Sequence, residues 1–374
     1  MSETNSYITD EVIELAVSIQ QIPGPTFSES QRSVFVKDRF IQKKLTAVTT
    51  DESGNVYARI AGSGSRPPAV FSAHLDTVFP AVTDLSVRRV ADMIYGPGIG
   101  DNALGVAGLL GLVELLRPVG KLPGDIWLVA NVCEEGLGDL RGMKSVIERF
   151  GKDVLAYVVV EGTTLDQIYH RALGVQRYRI KTETAGGHSW SNFGRPSAIH
   201  ELAFLVAQLT RLELPAQPRT SLNVGTIQGG FSVNTIASEA HLELDLRSES
   251  AVTLTDLVER VNCLVRDANR RGEDFVKVQA EIIGQRPAGE ITQDHPLVRL
   301  AARCLERQGI TPILGIGSTD ANIPLSLGLP AVCVGLTRGG GAHTLNEYIY
   351  TWPVAQGLKA LAALAEGVFH DLKP

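Results

Sequence analysis

The chain has 374 residues, 44% of them hydrophobic, which suits a globular protein of about two domains. Lys and Arg number 35 against 41 Asp and Glu, and this mild acidity, without a basic cluster, argues against nucleic acid as a partner. We expect no membrane span, because no run of about 18 apolar residues occurs, and no secretory signal, because residues 1–6 are polar; with four scattered cysteines, the cytoplasm is the expected location.

Helices alternate with apolar strands over most of the chain. In chain order, the main predicted elements are helices at 9–21 and 28–45, strands at 55–61 and 69–78, a helix at 103–116, and strands at 125–133, 154–160 and 330–336. The last three strands are nearly continuous in apolar residues, as strands covered on both faces are. This pattern predicts an α/β fold with a mostly parallel sheet and helices on both of its faces.

The middle of the chain follows a different pattern. Its predicted elements are a strand at 176–184, a helix at 198–209, strands at 220–228 and 241–247, a helix at 254–265 and a strand at 275–283. This β-α-β-β-α-β order is that of a ferredoxin-like α+β unit with an antiparallel sheet. We therefore predict an inserted domain at residues 173–286 and a discontinuous first domain formed by residues 1–172 and 287–374.

Acidic residues and histidines gather where the predicted strands of the first domain end. They are His74, Glu134, Glu135 and Glu161 at strand ends, and Asp101 and His343 in glycine-rich loops. Each has an ordinary explanation when taken alone, such as a helix N-cap for Asp101 or a solvated turn for the pair of glutamates. Because ligands bind at the carboxyl ends of the strands in open α/β sheets, we expect all six side chains to lie together.

Several carboxylates at one sheet edge cannot all stay ionised without a counter-charge. Two divalent cations would supply it, and the nitrogen and oxygen donors suit zinc, with cobalt or manganese as alternatives. If these side chains are partitioned between two ions that share one ligand, Asp101 is the shared ligand and bridges ions about 4 Å apart. The two predicted sites are then His74, Asp101 and Glu161, and Asp101, Glu135 and His343.

Two further acidic residues receive roles from their positions in the sequence. Glu134 is next to a ligand and is left over by the partition, which makes it the candidate general base for the bound water. Asp76 lies two residues after His74, and the two side chains would share a face if the strand continues through Asp76. Asp76 is therefore predicted to orient His74, and a carboxylate that merely satisfies a core histidine is the alternative.

The chain resembles the di-zinc exopeptidase and amidohydrolase family of peptidase T, carboxypeptidase G, aminoacylase, acetylornithine deacetylase and succinyl-diaminopimelate desuccinylase. The similar segments span essentially the whole chain and include His74-Leu-Asp-Thr-Val78, Gly98-Ile-Gly-Asp-Asn102, Glu134-Glu-Gly136, Gly186-Gly-His-Ser189, Gly317-Ser-Thr-Asp-Ala321 and Gly339-Gly-Gly-Ala-His343. The resemblance implies a zinc-exopeptidase-like fold, the same five metal ligands, Glu134 as the base, and a cis peptide bond between Asp101 and Asn102.

The resemblance also gives the inserted domain a function. It would be the lid and dimerisation domain of a homodimer, with His188 reaching the partner's active site to bind the tetrahedral oxyanion. Asn234 and Arg247 would hold the substrate carboxylate or backbone. An ordinary turn histidine and a surface ion pair are the alternatives for His188 and Arg247.

The expected reaction is hydrolysis of an amide or peptide bond by a metal-bridging water that Glu134 activates. Short peptides are the leading substrates, as for an aminopeptidase, dipeptidase or tripeptidase, and deacylation of N-acyl amino acids is the alternative. A non-catalytic paralogue that binds a peptide or metabolite is the alternative of another class. The presence of all five ligands and Glu134 argues against this last possibility.

Overall fold

The computed structural model describes residues 3–373 of the chain. These residues divide into two compact units. The first unit is built from the residues up to Ala172 and from Glu290 onward, and the second unit is Leu173–Gly289. Each unit has a hydrophobic core of its own.

The elements are numbered along the described residues. The helices are α1 Glu3–Gln20, α2 Ser30–Gln42, α3 Leu104–Leu116, α4 Arg141–Phe150, α5 Ala198–Leu209, α6 Ala251–Gly272, α7 Pro296–Glu306, α8 Asn322–Ser326 and α9 Val354–Asp371. The strands are β1 Thr46–Thr50, β2 Val56–Ile60, β3 Ala69–His74, β4 Arg88–Val90, β5 Met93–Tyr95, β6 Ile126–Asn131, β7 Tyr157–Glu161, β8 Gln167–Ala172, β9 Gly174–Thr184, β10 Gly187–His188, β11 Thr220–Gly229, β12 Thr235–Ile236, β13 Glu239–Ser248, β14 Val276–Arg286, β15 Gly289–Glu290, β16 Ile313–Gly317, β17 Ala331–Gly335, β18 Gly339–Gly340 and β19 Tyr348–Tyr350.

A large mixed sheet forms the centre of the first unit. Within residues 3–373 its strand order is β1-β2-β6-β3-β7-β17-β8-β15, and β16 lies beside β8. The four central strands β6, β3, β7 and β17 run parallel, whereas β1, β2 and β8 make antiparallel pairs. The predicted α/β class with a mostly parallel sheet is therefore confirmed.

Strand β3 is at the centre of this sheet and is buried along its whole length. Because alternate residues of a strand point to opposite faces, complete burial means that the sheet is covered on both faces. The predicted continuation of this strand through Asp76 is wrong, since β3 ends at His74. After the strand ends, the N–H group of Thr77 donates to the carbonyl oxygen of Gly24, which lies outside the large sheet.

Helix α3 packs in the core of the first unit against α1, α9 and strands β3 and β7. Small residues on α3 allow this close approach, because a side chain at Gly111 would meet Val12 and one at Gly108 would meet Leu336. The helical stretch that contains α3, Ile99–Val119, is long and apolar enough to cross a membrane by length and composition alone. Burial of 83% of its apolar window inside the protein accounts for that composition.

A smaller antiparallel sheet of the first unit, β18-β19-β5-β4, was not predicted. Tyr348 pairs with Tyr95, and Ile349 pairs with Ile94. Strand β5 leads into the loop that carries Asp101, and strand β19 follows the loop that carries His343. The pairing therefore places the two loops side by side.

The second unit has the predicted β-α-β-β-α-β order, formed by β9, α5, β11, β13, α6 and β14. Its sheet has the order β11-β13-β9-β14, with every neighbouring pair antiparallel. Helices α5 and α6 pack on this sheet and on each other. The same unit contains a short two-stranded ribbon of β10 and β12, with Gly187 opposite Ile236 and His188 opposite Thr235.

Candidate metal centre

Three neighbouring strands bring the first site residues to one edge of the large sheet. Strand β3 ends at His74, β7 ends at Glu161, and Glu134 and Glu135 follow the end of β6. Because β3 lies between β6 and β7 and runs parallel to both, these strands present their carboxyl ends at the same edge. This is where open α/β sheets bind ligands.

Asp101 is shared by two groups of metal-ligand atoms in the described part of the chain. The groups are His74, Asp101 and Glu161, and Asp101, Glu135 and His343, and in each group the ligand atoms lie within 4.8 Å of one another. Asp101 Oδ1 lies 3.1 Å from His74 Nε2, and Asp101 Oδ2 lies 3.1 Å from His343 Nε2. Each oxygen of this carboxylate therefore faces a different group, as the sequence partition expects of a bridging residue.

The remaining distances complete the two groups. His343 Nε2 lies 3.1 Å from Glu135 Oε1, and His74 Nε2 lies 3.7 Å from Glu161 Oε2. Glu134 is buried and forms a third group with His74 and Glu135. Its carboxylate is thus close to both predicted sites without belonging to either of the groups that share Asp101.

The histidines and carboxylates of the site shift each other's pKa values. Burial lowers the pKa of His74, but the charge of Glu161 and the bond to Asp101 outweigh it, and the pKa is raised well above its usual value. Bonds to Asp101 and Glu135 raise the pKa of His343 to about 10. Burial raises the pKa of Asp101, yet the two histidines hold it well below the usual range. The acidic residues therefore favour positive charge at both histidines.

Asp76 lies against His74, as predicted, and it also holds the backbone of two other site residues. Its Oδ1 accepts the N–H of Glu134 at 2.9 Å, and its Oδ2 accepts the N–H of Glu135 at 2.8 Å. The hydroxyl of Thr26 also donates to Oδ2, at 2.9 Å. His74 Nδ1 lies 3.0 Å from the backbone oxygen of Asp76 and 3.5 Å from its carboxylate. Both the main-chain carbonyl and the carboxylate of Asp76 therefore lie beside His74 Nδ1, and the carboxylate also fixes the backbone of Glu134 and Glu135.

The backbone after β6 is held by side chains at four consecutive residues. Before the two glutamates, the N–H of Val132 donates to Asn55 Oδ1 at 3.0 Å, and the N–H of Cys133 donates to Glu29 Oε1 at 3.1 Å. In a strand these N–H groups would donate to a neighbouring strand. Here side-chain oxygens accept them, so the backbone N–H groups of this irregular segment all have hydrogen-bond partners. Sequence reasoning missed Glu29 and Asn55, because they act on main-chain atoms far away in the sequence.

The loop that carries Asp101 makes one irregular turn, Ile99–Ala103, before α3 begins. The Asp101–Asn102 peptide bond is cis, which confirms the implication of the resemblance. The side-chain amide of Asn102 donates to the carbonyl oxygen of Val160 at 2.9 Å and ties the loop to β7. The alternative of a helix N-cap for Asp101 is wrong, since Ala103 occupies that position.

Asp320, in one of the segments of resemblance, is fully buried. Its Oδ2 accepts the side-chain amide of Asn131 at 2.6 Å, and its Oδ1 has no hydrogen-bond partner among the described residues. Burial, together with the charges of Glu161 and Asp76, raises the pKa of Asp320 to about 7, although His74 and Asn131 act against the shift. The residue is part of the support beneath the site rather than of an exposed surface.

The structure places His188, in the ribbon of the second unit, beside Asn234, which immediately precedes β12. The N–H of Ser189 donates to the backbone oxygen of Asn234 at 3.0 Å, and both predicted side chains are exposed. His188 Nδ1 accepts the N–H groups of Trp190 at 3.2 Å and Ser191 at 3.4 Å. With Nδ1 an acceptor, the proton of the neutral ring is on Nε2, which makes that atom a donor.

Arg247 does not join this pair within the second unit. It lies near the end of β13, eight residues or about 26 Å from Glu239 at the start of the strand, which is the end next to the ribbon. Its Nε donates to Asp245 at 2.6 Å, and Asp245 also accepts from Arg177 at 2.9 Å. The ion pair that was the alternative for Arg247 is present.

A model of Peptidase family M20/M25/M40 matches residues 70–367 of the chain. The chain belongs to this family. The predicted family is thereby confirmed, and the match includes the strand of His74, the loop of Asp101 and the residue His343.

Two relatives of known sequence are similar to the M20-family chain over most of its length. An M20 domain-containing protein of Schizosaccharomyces pombe is 29% identical over 67% of this chain, and the aligned region covers 64% of that protein's own length. A succinyl-diaminopimelate desuccinylase of Corynebacterium glutamicum is 24% identical over 90% of both chains.

Solved structures share the fold over nearly the whole M20-family chain. A tripeptidase of Staphylococcus aureus has a TM-score of 0.81 at 21% identity and covers 96% of this chain and 98% of its own. A Bacillus subtilis protein described as a dinuclear metal-binding peptidase of the M20 family has a TM-score of 0.72 at 16% identity, with 98% and 99% covered.

The donor set of the M20-family chain fits a two-metal centre. Two histidines and three carboxylates supply nitrogen and oxygen donors, and one carboxylate faces both groups. Divalent ions held by these donors would balance the charge of the acidic residues. The residues that would hold them are His74, Asp101, Glu135, Glu161 and His343.

Proposed function

We propose that this M20-family protein is a hydrolase that cleaves amide bonds of short peptides at a centre of two divalent metal ions. The observation that carries the proposal is the carboxylate of Asp101, whose two oxygens face His74 and His343 separately. A shared carboxylate is the feature that distinguishes a two-metal hydrolase site from two unrelated clusters. Zinc is the metal we propose, since the ligands are histidines and carboxylates.

Glu134 is the general base and acid of the proposed reaction. When bound, the two ions supply Lewis-acid polarisation of the substrate carbonyl and make water more acidic. Glu134 takes one proton from the attacking water as the bond from oxygen to the carbonyl carbon forms. It returns that proton to the amine nitrogen as the C–N bond breaks, which leaves a carboxylic acid and an amine. The backbone bond from Glu134 to Asp76 keeps the carboxylate in place for both transfers.

His188 is the proposed donor to the tetrahedral oxyanion. Its Nδ1 is engaged by two backbone N–H groups, so that Nε2–H is directed to an incoming acceptor. Asn234, which lies beside it, and Arg247 are proposed to bind the substrate carboxylate or backbone. Because Arg247 lies at the far end of β13, we propose that the three act in a homodimer, with His188 serving the active site of the partner subunit.

The second unit supports the proposed dimer with an open sheet edge. Strand β11 is ten residues long and is the terminal strand of its sheet in the described part of the chain. Exposed apolar side chains lie on it and just beyond it, at Ile227, Phe231 and Val233. An edge strand of this kind is a template for pairing with another chain. Light scattering after size exclusion should give a dimer that Ile227→Glu with Phe231→Glu converts to monomer, and a wild-type monomer at micromolar concentration would contradict the proposal.

The substrate class is decided by a panel of dipeptides, tripeptides and N-acyl amino acids. Metal-loaded protein should cleave short peptides with a free amino terminus, and a chelator should abolish the activity. The second candidate is N-acyl amino acid deacylation, which the similarity to the desuccinylase over 90% of the chain favours. Turnover of succinyl or acetyl amino acids without turnover of peptides would select it. Absence of turnover on both sets by protein that holds two metal ions would favour a binding protein.

A further inference from the structure

Glu347 is a buried carboxylate that received no role in the sequence, four residues after His343. Its Oε1 accepts the N–H of Gly100 at 2.7 Å and the N–H of Asp101 at 2.8 Å. Its Oε2 accepts the N–H of Gly98 at 2.7 Å. One side chain thus receives three backbone amides of the loop that carries the shared ligand.

The main chain of Glu347 is attached to the same loop. Its carbonyl oxygen accepts the N–H of Gly96 at 2.9 Å, next to the pairing of Tyr348 with Tyr95. The segment from 96 to 101 is therefore fixed at four points by a single residue. A short turn, in which the N–H of Glu347 donates to Thr344, connects this anchor to His343.

The loop is shaped to admit this carboxylate. Gly98 has φ of +76°, a conformation that disfavours other residues, and its N–H points at Glu347. A Cβ at Gly100 would approach Glu347 Oε1 to 3.2 Å and Thr163 Cγ2 to 2.6 Å. Successive N–H groups that converge on one anion form a compact binding concavity. Here the side-chain carboxyl group of Glu347 fills that concavity.

The contacts distinguish Glu347 from a metal ligand. Oε1 accepts two N–H groups, which occupy its two lone pairs, and Oε2 accepts a third. None of the three groups of metal-ligand atoms in residues 3–373 includes it. Its interactions are with the backbone of the loop that presents Asp101.

We propose that Glu347 is a positioning residue of the metal centre, which fixes the carboxylate of Asp101 between the two groups and holds it in register with His343. The inference rests on the proposed function, since it assigns Glu347 to the two-metal site. Because Asp101 belongs to both groups, a shift of its loop changes both sites at once. Replacing a residue that hydrogen-bonds to a metal ligand typically weakens metal binding by about 10–100-fold.

The test is a metal titration of the 374-residue chain with Glu347→Gln. Glutamine has nearly the same shape, and its amide oxygen can still accept the N–H groups of Gly100 and Asp101, but its amide nitrogen is a donor and cannot accept the N–H of Gly98. We expect both steps of a Co²⁺ titration, followed by competition with a chromophoric chelator, to weaken by about 10–100-fold. The visible absorption of the Co²⁺-loaded protein should also change, since it reports the ligand geometry of the ions.

Asp125→Asn is the matched control. Asp125 also accepts a backbone N–H, that of Gly62 at 2.8 Å, but it precedes β6 at the opposite edge of the sheet. The control should lower the melting temperature and leave both metal affinities and the Co²⁺ spectrum unchanged. Glu347→Asp keeps the charge with a shorter side chain and should lie between wild type and Glu347→Gln. If Glu347→Gln does not fold, the metal affinities and the Co²⁺ spectrum of Glu347→Asp are compared with those of wild type instead.

The outcomes separate this inference from the proposed function. Wild-type protein that binds two ions, with a Glu347→Gln variant of the same affinities and spectrum, would overturn the positioning role alone. Loss of thermal stability with unchanged metal binding, as in the control, would assign Glu347 a purely structural role and also overturn it. Wild-type protein that binds fewer than two ions would refute the metal centre itself.

Discussion

Replacement of Asp76 by Asn gives a direct test of which atoms this residue holds. The carboxylate accepts three hydrogen bonds, from the N–H groups of Glu134 and Glu135 and from the hydroxyl of Thr26. Asparagine leaves one oxygen as an acceptor and turns the other position into a donor that faces a buried N–H. A hydrogen bond to a charged group is worth about 1.5–3 kcal/mol, and an unsatisfied buried N–H costs about 1–3 kcal/mol. We expect the free energy of unfolding of the metal-free protein to fall by about 2–4 kcal/mol.

The same variant should affect the two metal sites unequally. His74 Nδ1 bonds to the backbone oxygen of Asp76, which the substitution leaves in place. The segment that carries Glu135 loses one of its two N–H bonds to this side chain, so the site with His343 should weaken by about 10–100-fold while the site with His74 changes less.

The assay is a two-step metal titration of Asp76→Asn, with His343→Ala to identify which step belongs to which site. Urea denaturation of the metal-free protein gives the change in stability, and Asp125→Asn again serves as the control. If the His74 step weakened and the His343 step did not, the carboxylate would act through the imidazole, and its assignment to the backbone of Glu134 and Glu135 would be refuted.

Two further predictions concern protons. His343 has a pKa raised to about 10 in the metal-free protein, so at pH 7.5 a metal must displace its proton. Calorimetry in buffers of different ionisation enthalpy should show proton release, and affinity should rise with pH by up to about tenfold per unit per proton; heats that do not depend on the buffer would contradict this. Asp320 has a pKa raised to about 7, so the folded state keeps a proton that the unfolded state loses near pH 4. Its contribution to stability therefore falls as pH rises through this window, and Asp320→Asn should gain about 3 kcal/mol relative to wild type between pH 5 and pH 8 in urea denaturation of metal-free protein; a gain that is independent of pH would show that Asp320 is ionised throughout.

The sequence was sufficient for the parts of the site that depend on strand ends. His74, Glu161 and the pair Glu134–Glu135 each come at or just after the end of an apolar run. The hydrophobic pattern of the sequence shows both the strand and the point where it ends. The parallel order of the strands then places those residues at one edge. The same reasoning, applied to two glycine-rich loops, correctly brought Asp101 and His343 to the same place.

The supports of the site could not be predicted in this way. Glu347 contacts the backbone of the Asp101 loop across 246 positions, and Glu29 contacts Cys133 across 104. Such residues bind main-chain N–H groups, which every residue except proline offers, so neither partner carries a sequence signal. Asp76 was assigned to His74 because the two are close in the sequence, but the bonds of its carboxylate to a segment that follows another strand gave no such signal.

The central claim is that Glu134 moves the proton at a centre of two metal ions, and Glu134→Gln tests it most directly. Glu134 is not in either group that shares Asp101, so the variant should still bind two ions per chain with affinities close to those of wild type. Its kcat on the best peptide or N-acyl substrate should fall by about 10²–10⁴-fold, as expected for loss of a general base. Two bound ions with near-normal turnover would show that another group carries the proton and would contradict the account.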